Sequence, residues 1–333
     1  MGYKKRKFIP GECMHVYQRT INGFNIFYDR EDFIVFYTIF SVVAKAYDIV
    51  VLEMCMMIDH VHMLLSSESM SEISDFVRHY TSLFVRVYND AVSRKGPLFH
   101  KSFGSAPKKG SKKIRSTIVY IGNNPVEKTL CPTADKYRWN YLAYIGNANP
   151  FSEPKPLSSC SVRLRNAMKE VDKSASSGRF LSYAQTRRMF GKLSDGEKEI
   201  LTDHIIKAYS PFDEEVLLSF YDSKEDMLHA MKATAGSDYD IKEKYYSGSD
   251  MIYRDMMRVA MDYCGAPVRT VTVMKPDLKF ELAKLLQQRT NATMMQISKF
   301  LHLKLSKVRD EYLADSQRDD GLSCRTELAG QTS

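Results

Sequence analysis

The 333-residue sequence predicts a layered α/β or α+β domain followed by a mostly helical region. Three observations carry that expectation. Strand-like and helix-like segments alternate with short connections along residues 12–124. A proline- and serine-rich stretch then interrupts the core-forming pattern at residues 149–161. Beyond it apolar residues recur at helical spacing, with Val268–Val273 the one convincing strand candidate.

Glu12–Thr20 is enriched in Tyr, Val and Thr and reads as a strand, with Asn22-Gly23 marking a turn after it. Asp29–Ala46 reads as a helix, because Asp29 can cap it, acidic residues fill its first turn and apolar residues fill its inner face. Ile49–Met57 and His60–Ser66 are two further strands on either side of a tight turn at Ile58-Asp59. Ser71–Tyr88 is an amphipathic helix capped by Ser71, with Phe76, Leu83, Phe84 and Val87 facing inward. After Gly96-Pro97 a loop runs through Phe99 and Phe103 to a basic cluster. A helix then runs from Ser111 to about Asn124, where Pro125 stops it. In the second half helices are expected near 164–172, 182–191, 195–209, 211–220 and 223–233. The expected organisation is therefore a domain over 1–150, a linker over 151–162, a helical accessory region over 163–315 and a disordered tail over 316–333.

Composition narrows the class. At 44% hydrophobic and 26% charged residues the chain can bury a core and is not a disordered tail. Its longest apolar run, Phe33–Val43, is interrupted by Thr38 and Ser41, too short for a membrane span. The basic first ten residues lack the apolar centre of a signal peptide. Six cysteines stand singly without zinc-ligand spacing, which fits a reduced, cytoplasmic setting. Residues 1–150 hold 20 Lys and Arg against 13 Asp and Glu, whereas the remainder holds 28 against 27. The positive field thus belongs to the first half, where it serves either a polyanion such as nucleic acid or plain solubility.

Two elements carry chemistry. In a strand His60 and His62 point to one face, at a spacing that lets both reach one metal ion. Alone, such a pair more often reflects surface or packing chemistry. Tyr120 lies on the helix whose buried stripe is Ile114, Ile118 and Ile121. At about 100° per residue, Lys113, Tyr120 and Asn124 fall on a different face, so Tyr120 is not an obvious core aromatic. Asn124, one turn on, is placed to share a site with it.

Met57-Ile-Asp-His60-Val-His62-Met-Leu-Leu65 resembles the His-hydrophobic-His motif of the HUH superfamily of single-strand endonucleases. Val119-Tyr120-Ile-Gly-Asn-Asn124-Pro125 resembles the second motif of its single-tyrosine, IS200-like transposases. The opening His15-Val-Tyr-Gln-Arg19 and the later Tyr137-Arg138-Trp139 are also similar, and together they most resemble the REP-associated tyrosine transposases, which act on hairpin-forming repeat DNA. The resemblance covers about residues 10–145, with Ile58-Asp59 standing where Pro-Asn is commoner. It implies an α+β, HUH-type fold, a central antiparallel sheet with flanking helices. It further implies that His60, His62 and Asn124 ligate a divalent ion, Mg2+ or Mn2+, and that Tyr120 attacks DNA to give a 5′-phosphotyrosine.

Chemistry accounts for that set. A cation polarises the scissile phosphate, and two imidazoles with an amide leave it charged and open to ligands. A phenol with a pKa of about 10 needs activation, by the cation or by Lys113. The substrate is expected to be single-stranded or hairpin DNA, bound by a monomer or homodimer away from any membrane. Lys108, Lys109, Lys112, Lys113 and Arg115 form the expected phosphate track, with Arg19 a further contact and Lys4–Lys7 a weaker second run. Near 276–314 the spacing of Ile297, Leu301, Leu305 and Val308 fits a helix-turn-helix, with Ser306, Lys307 and Arg309 exposed and His302 in place of the usual turn glycine. The competing expectations are a DNA-binding regulator that does not cleave, and an HUH nickase serving replication or conjugation.

Overall fold

A computed structural model describes residues 7–234 and 250–310 of the chain. Their contacts divide them into two units, one drawn from Met1–Ile21 and Ile26–Asp250, the other from Asn22–Asn25 and Met251–Ser333. The architecture is α+β, a four-stranded antiparallel sheet with flanking helices followed by a mostly helical C-terminal region.

The sheet of the first unit comprises β1 (Cys13–Arg19), β2 (Val50–Met56), β3 (His60–Ser66) and β4 (Gly104–Lys108), in the order β2-β3-β1-β4. Between the strands run α1 (Arg30–Ala44), α2 (Met70–Val92) and, after β4, α3 (Ser111–Glu127). Five more helices follow: α4 (Val162–Ser176), α5 (Tyr183–Phe190), α6 (Asp195–Tyr209), α7 (Glu214–Leu218) and α8 (Lys224–Thr234). Side chains alternate across a strand, so each sheet face has its own cover. Met14, Val16 and Gln18 point to α1 and α2, where Tyr80 donates to Gln18 at 2.7 Å and Phe36 meets Tyr80 and Phe84 edge-on. The opposite face points to α3.

The apolar run Phe33–Val43 lies in α1, which is buried on almost every side. Asp29 and Asp32 cap its start reciprocally. Helices α5 and α6 cover its outer side: Tyr183 donates to Asp32 at 2.9 Å, the Leu181 amide to Thr38 at 3.1 Å, and Tyr37 to the Ile206 carbonyl at 2.8 Å. No described helix is long and apolar enough to cross a membrane.

Several expectations need correction. The helix near 71–88 starts one residue earlier, at Met70, and its cap is Ser69. The segment leading from Phe103 to the basic cluster is a strand, β4, because residues 104–108 pair with Cys13–Tyr17. Pro125 does not stop α3, which ends two residues later at Glu127. The expected linker at 151–162 is no boundary: its Phe151 amide and Ser152 hydroxyl donate to buried Asp203 of α6 at 3.2 and 2.8 Å. Helices α4–α8 therefore belong with the sheet, and the division falls near residue 250. Expectations for Lys4–Arg6, for the tail 316–333 and for residues 311–314 fall outside the described residues.

The second unit holds α9 (Asp250–Cys264), α10 (Pro276–Arg289), α11 (Met294–Phe300) and a further helical segment at 305–310. Val268–Val273 is not a strand. It forms a 3-10 turn in which Thr270 and Thr272 donate to the Pro267 and Arg269 carbonyls at 2.8 Å each. Val268 and Val271, three apart, are buried on one side of it.

Asp203 is fully buried and also accepts from Arg138 and, at 3.1 Å, from Tyr144. Arg138 keeps Glu199 as a second partner, so Asp203→Ala should cost about 3 kcal/mol, the low end for a broken buried pair. Urea unfolding of the two proteins measures this, and a loss below about 1 kcal/mol would contradict the account.

Candidate active site

The register of the sheet decides which side chains meet. β1 and β3 pair antiparallel with His15 opposite Leu64, Tyr17 opposite His62, and Arg19 opposite His60. On the next strand Cys55 stands opposite His62 and Glu53 opposite Leu64. Residues directly opposite share a face. One face therefore carries His15, Tyr17, Arg19, Glu53, His60 and His62 together. Tyr17 also lies across Gly104 of β4, where a Cβ would sit 2.0 Å from the ring, so only glycine fits beneath it.

The imidazoles are linked in a defined way. His15 Nε2 lies 3.0 Å from His62 Nδ1, and the two rings stack with centroids 5.2 Å apart. His60 Nδ1 lies 2.6 Å from Asp59 Oδ1. A carboxylate only accepts, so this nitrogen carries a proton, and in the neutral ring Nε2 is left with the lone pair. That Nε2 is buried and has no hydrogen-bond partner among the described residues. Burial, and then Lys108, lowers the His15 pKa to about 3. Burial also holds His62 well below its ordinary value, with His60, His15, Arg19 and Lys128 adding to the effect. Burial pushes the Glu53 carboxyl well up.

Tyr120 sits edge-on to both stacked rings, 5.6 Å from His15 and 5.5 Å from His62 between centroids. It is 1% exposed, and Asn124 one turn on is 3% exposed. The helical wheel separates Tyr120 from the isoleucine stripe, but both faces of α3 are covered here. On its outer side α3 meets Leu142 and Met231, so closely that a Cβ on Gly122 would lie 2.6 Å from Leu142. Asn123 fixes this contact by donating to the Met231 carbonyl of α8 at 2.8 Å.

Residues 13–124 match the family described as "Transposase IS200 like". That segment, about a third of the chain, is thus similar to IS200-like transposases. No curated protein matches the chain. The solved structure described as "Structure of the REP associates tyrosine transposase bound to a REP hairpin" aligns with 48% of this chain and 96% of its own, at 13% identity and a TM-score of 0.39.

The matched segment runs from the first residue of β1 to Asn124, so all four expected site residues lie inside it. Its donor set suits a divalent ion. His60 offers a buried, unpartnered Nε2 oriented by Asp59, and His62 is held through Nδ1 by His15. Neutral imidazoles are the ligating form. Among the described residues no group of three or more His, Cys, Asp or Glu is arranged to hold a metal.

The basic residues divide. Lys109, Lys112 and Lys113 are exposed around the start of α3, and Lys108 ends β4 near His15. Arg115 is exposed as well, yet it lies over the Tyr221 ring at 4.8 Å and 3.6 Å from Asp226. Arg19 is partly buried beside Tyr17. Sequence reasoning assigned no role to His15, Glu53 or Asp59. The alternation His15, Tyr17, Arg19 was the available signal for the first, but it says nothing without the pairing of β1 to β3. Tyr137-Arg138-Trp139 proves architectural: Tyr137 donates to the Met56 carbonyl at 2.9 Å, and Trp139 stacks on Phe33 at 4.3 Å.

The depressed His15 pKa has a consequence for stability. Below about pH 6.5 the unfolded chain protonates His15, whereas the folded chain keeps it neutral down to about 3. The unfolded state thus binds more protons in that window, and stability falls as the pH drops through it, by up to roughly 1.4 kcal/mol per unit. His15→Gln should flatten the curve in urea unfolding series run in EDTA. Parallel curves for the two proteins would refute the assignment.

Proposed function

We propose that this chain is a metal-dependent single-strand DNA endonuclease and strand transferase that acts on hairpin-forming DNA through Tyr120. The observation that carries the proposal is the meeting of Tyr120 with the buried His15–His62 pair, beside a His60 ring whose lone-pair nitrogen is unpartnered. His60, His62 and Asn124 would hold the cation, Mg2+ or Mn2+. When bound, it supplies Lewis-acid polarisation of the scissile phosphate.

The chain's own residues do the rest. Tyr120 Oη forms a bond to phosphorus while the bond from phosphorus to the 3′-oxygen breaks. The phenolic proton lost by the tyrosine is balanced by the one the leaving 3′-oxygen gains. The product is a 5′-phosphotyrosine with a free 3′-hydroxyl, and attack by a second 3′-hydroxyl joins new ends without ATP. Lys109, Lys112 and Lys113 track the backbone, with Lys113 seven residues, or about 10 Å along the helix, before Tyr120. A stacked duplex cannot present its phosphate to a helix packed against a sheet, so the substrate is an unpaired strand. Because Tyr120 is 1% exposed, attack follows an opening of the residues over it.

That burial also favours a second reading, in which the domain binds DNA without cutting it. Incubation of labelled single-stranded hairpins with the protein and Mn2+ separates the two. The endonuclease gives a covalent adduct that is absent with Tyr120→Phe and abolished by EDTA. Retained binding with no adduct across a broad hairpin pool would establish the regulator instead.

The metal set has its own test. Calorimetric titration of EDTA-stripped protein with Mn2+ should show one site, lost in the His60→Ala, His62→Ala double variant. Asp59→Asn should weaken it about 10- to 100-fold, as expected when the group orienting a ligand is removed. Unchanged binding in the double variant would place the ion elsewhere.

A further inference from the structure

The second unit contains a helix pair whose sequence and geometry point away from single strands. Thr293 caps α11 through a reciprocal bond with Gln296, and the helix runs for 7 residues. A four-residue connection, 301–304, leads directly into the helical segment at 305–310. Within it His302 takes φ +55°, the left-handed region where a helix-turn-helix usually keeps glycine. The strain is offset locally: the His302 ring stacks on Phe24 at 4.6 Å, and its Nε2 lies 2.5 Å from the Asn25 carbonyl.

The inner side of this pair is apolar and closed. Ile297, Leu301 and Val308 are fully buried, and small Ser298 is 3% exposed. Leu282 and Leu286 of α10, also buried, complete the unit's core. The outer side is different. Lys304, Ser306, Lys307 and Arg309 are exposed at the start of the last described helix, followed by Asp310 and, next in the sequence, Glu311. Over 294–310 the basic residues Lys299, Lys304, Lys307 and Arg309 face a single acid.

We propose that this unit binds duplex DNA by placing the helix that starts at Leu305 in the major groove. Ser306, Lys307 and Arg309 then read base edges, and Lys304 meets phosphate. A helix about 10–12 Å across fits a groove about 12 Å wide. The deep, narrow major groove of duplex RNA does not admit one. A protein partner is disfavoured too, because no large apolar side chain is exposed among residues 301–310 to anchor it. The chain thus carries a duplex-reading surface separate from the single-strand chemistry proposed for the transposase-like segment, and independent of whether that chemistry occurs.

The test uses the full chain carrying Tyr120→Phe, in EDTA, so that cleavage plays no part. Selection from a random duplex DNA pool should enrich a short sequence. The Lys307→Ala, Arg309→Ala variant should bind the enriched duplex at least about tenfold more weakly, with a salt dependence reduced by one to two units of slope. Both side chains are exposed, so the thermal melt should not move. In the Tyr120 background the same double variant should leave adduct formation on hairpins unchanged. No enrichment, equal binding by the variant, or equal affinity for duplex RNA would overturn the proposal. An enriched duplex without any hairpin adduct would uphold it while removing the endonuclease reading.

Discussion

A sheet face carrying His15, His62 and Glu53 can be covered by a helix only if those groups lose their charge. Burying an isolated ion is far costlier than burying its neutral form, so covering and neutrality arrive together. The molecule meets this constraint on each group. His15 is neutral down to about pH 3, His62 is held well below its ordinary range, and Glu53 is held well above its own. Neutral imidazoles are what a cation binds, and a neutral floor is what lets Tyr120 pack edge-on against it. The same desolvation therefore makes the fold possible and sets the chemistry.

The cover is kept in place from behind. Helix α3 is pressed to the sheet by Leu142 and by α8, with Gly122 allowing the contact and Asn123 bonding across it. The other side of the sheet is likewise double-layered at α1, which α5 and α6 back. Arg138 ties this outer layer to the strands: it bonds to Glu199 and Asp203 of α6, while its neighbours Tyr137 and Trp139 bond to Met56 at the edge of β2. A segment that follows the transposase match in sequence thus belongs to its packing.

What the sequence revealed, and what it hid, follows from the range of the interactions involved. Strand β3 and helix α1 were legible to within a residue or two, because alternation, caps and apolar period are local. So were α5 and α6, while α4 runs four residues past its expected end at 172. The strand β4 was hidden, since Gly-Ser-Ala-Pro-Lys has little strand character and gains it only by pairing with β1. The burial of Tyr120 was hidden for a related reason. A helical wheel ranks faces by their own residues, whereas the ring of Tyr120 is covered by His15 and His62, strand residues that a wheel does not see. His60 and His62 were found from their spacing, but their partners His15 and Asp59 needed the register and the turn. The boundary expected at 151–162 failed because prolines and serines mark a segment without helix or strand, and such a segment can still be bonded to the core.

Helix α3 then divides its labour along its length. Its first turn and a half is exposed and cationic, with Lys112, Lys113 and Arg115, while residues 117–125 are buried against neutral imidazoles. A polyanion is therefore drawn to one end of a helix whose other end holds Tyr120, the proposed nucleophile, and the two are about 10 Å apart. Exposed lysines act at a distance and need no desolvation. A phenol beneath the same cover is kept from water and from adventitious anions. Selectivity for an unpaired strand would then rest on which backbone can travel that 10 Å under the cover, a matter of width and flexibility and not of charge.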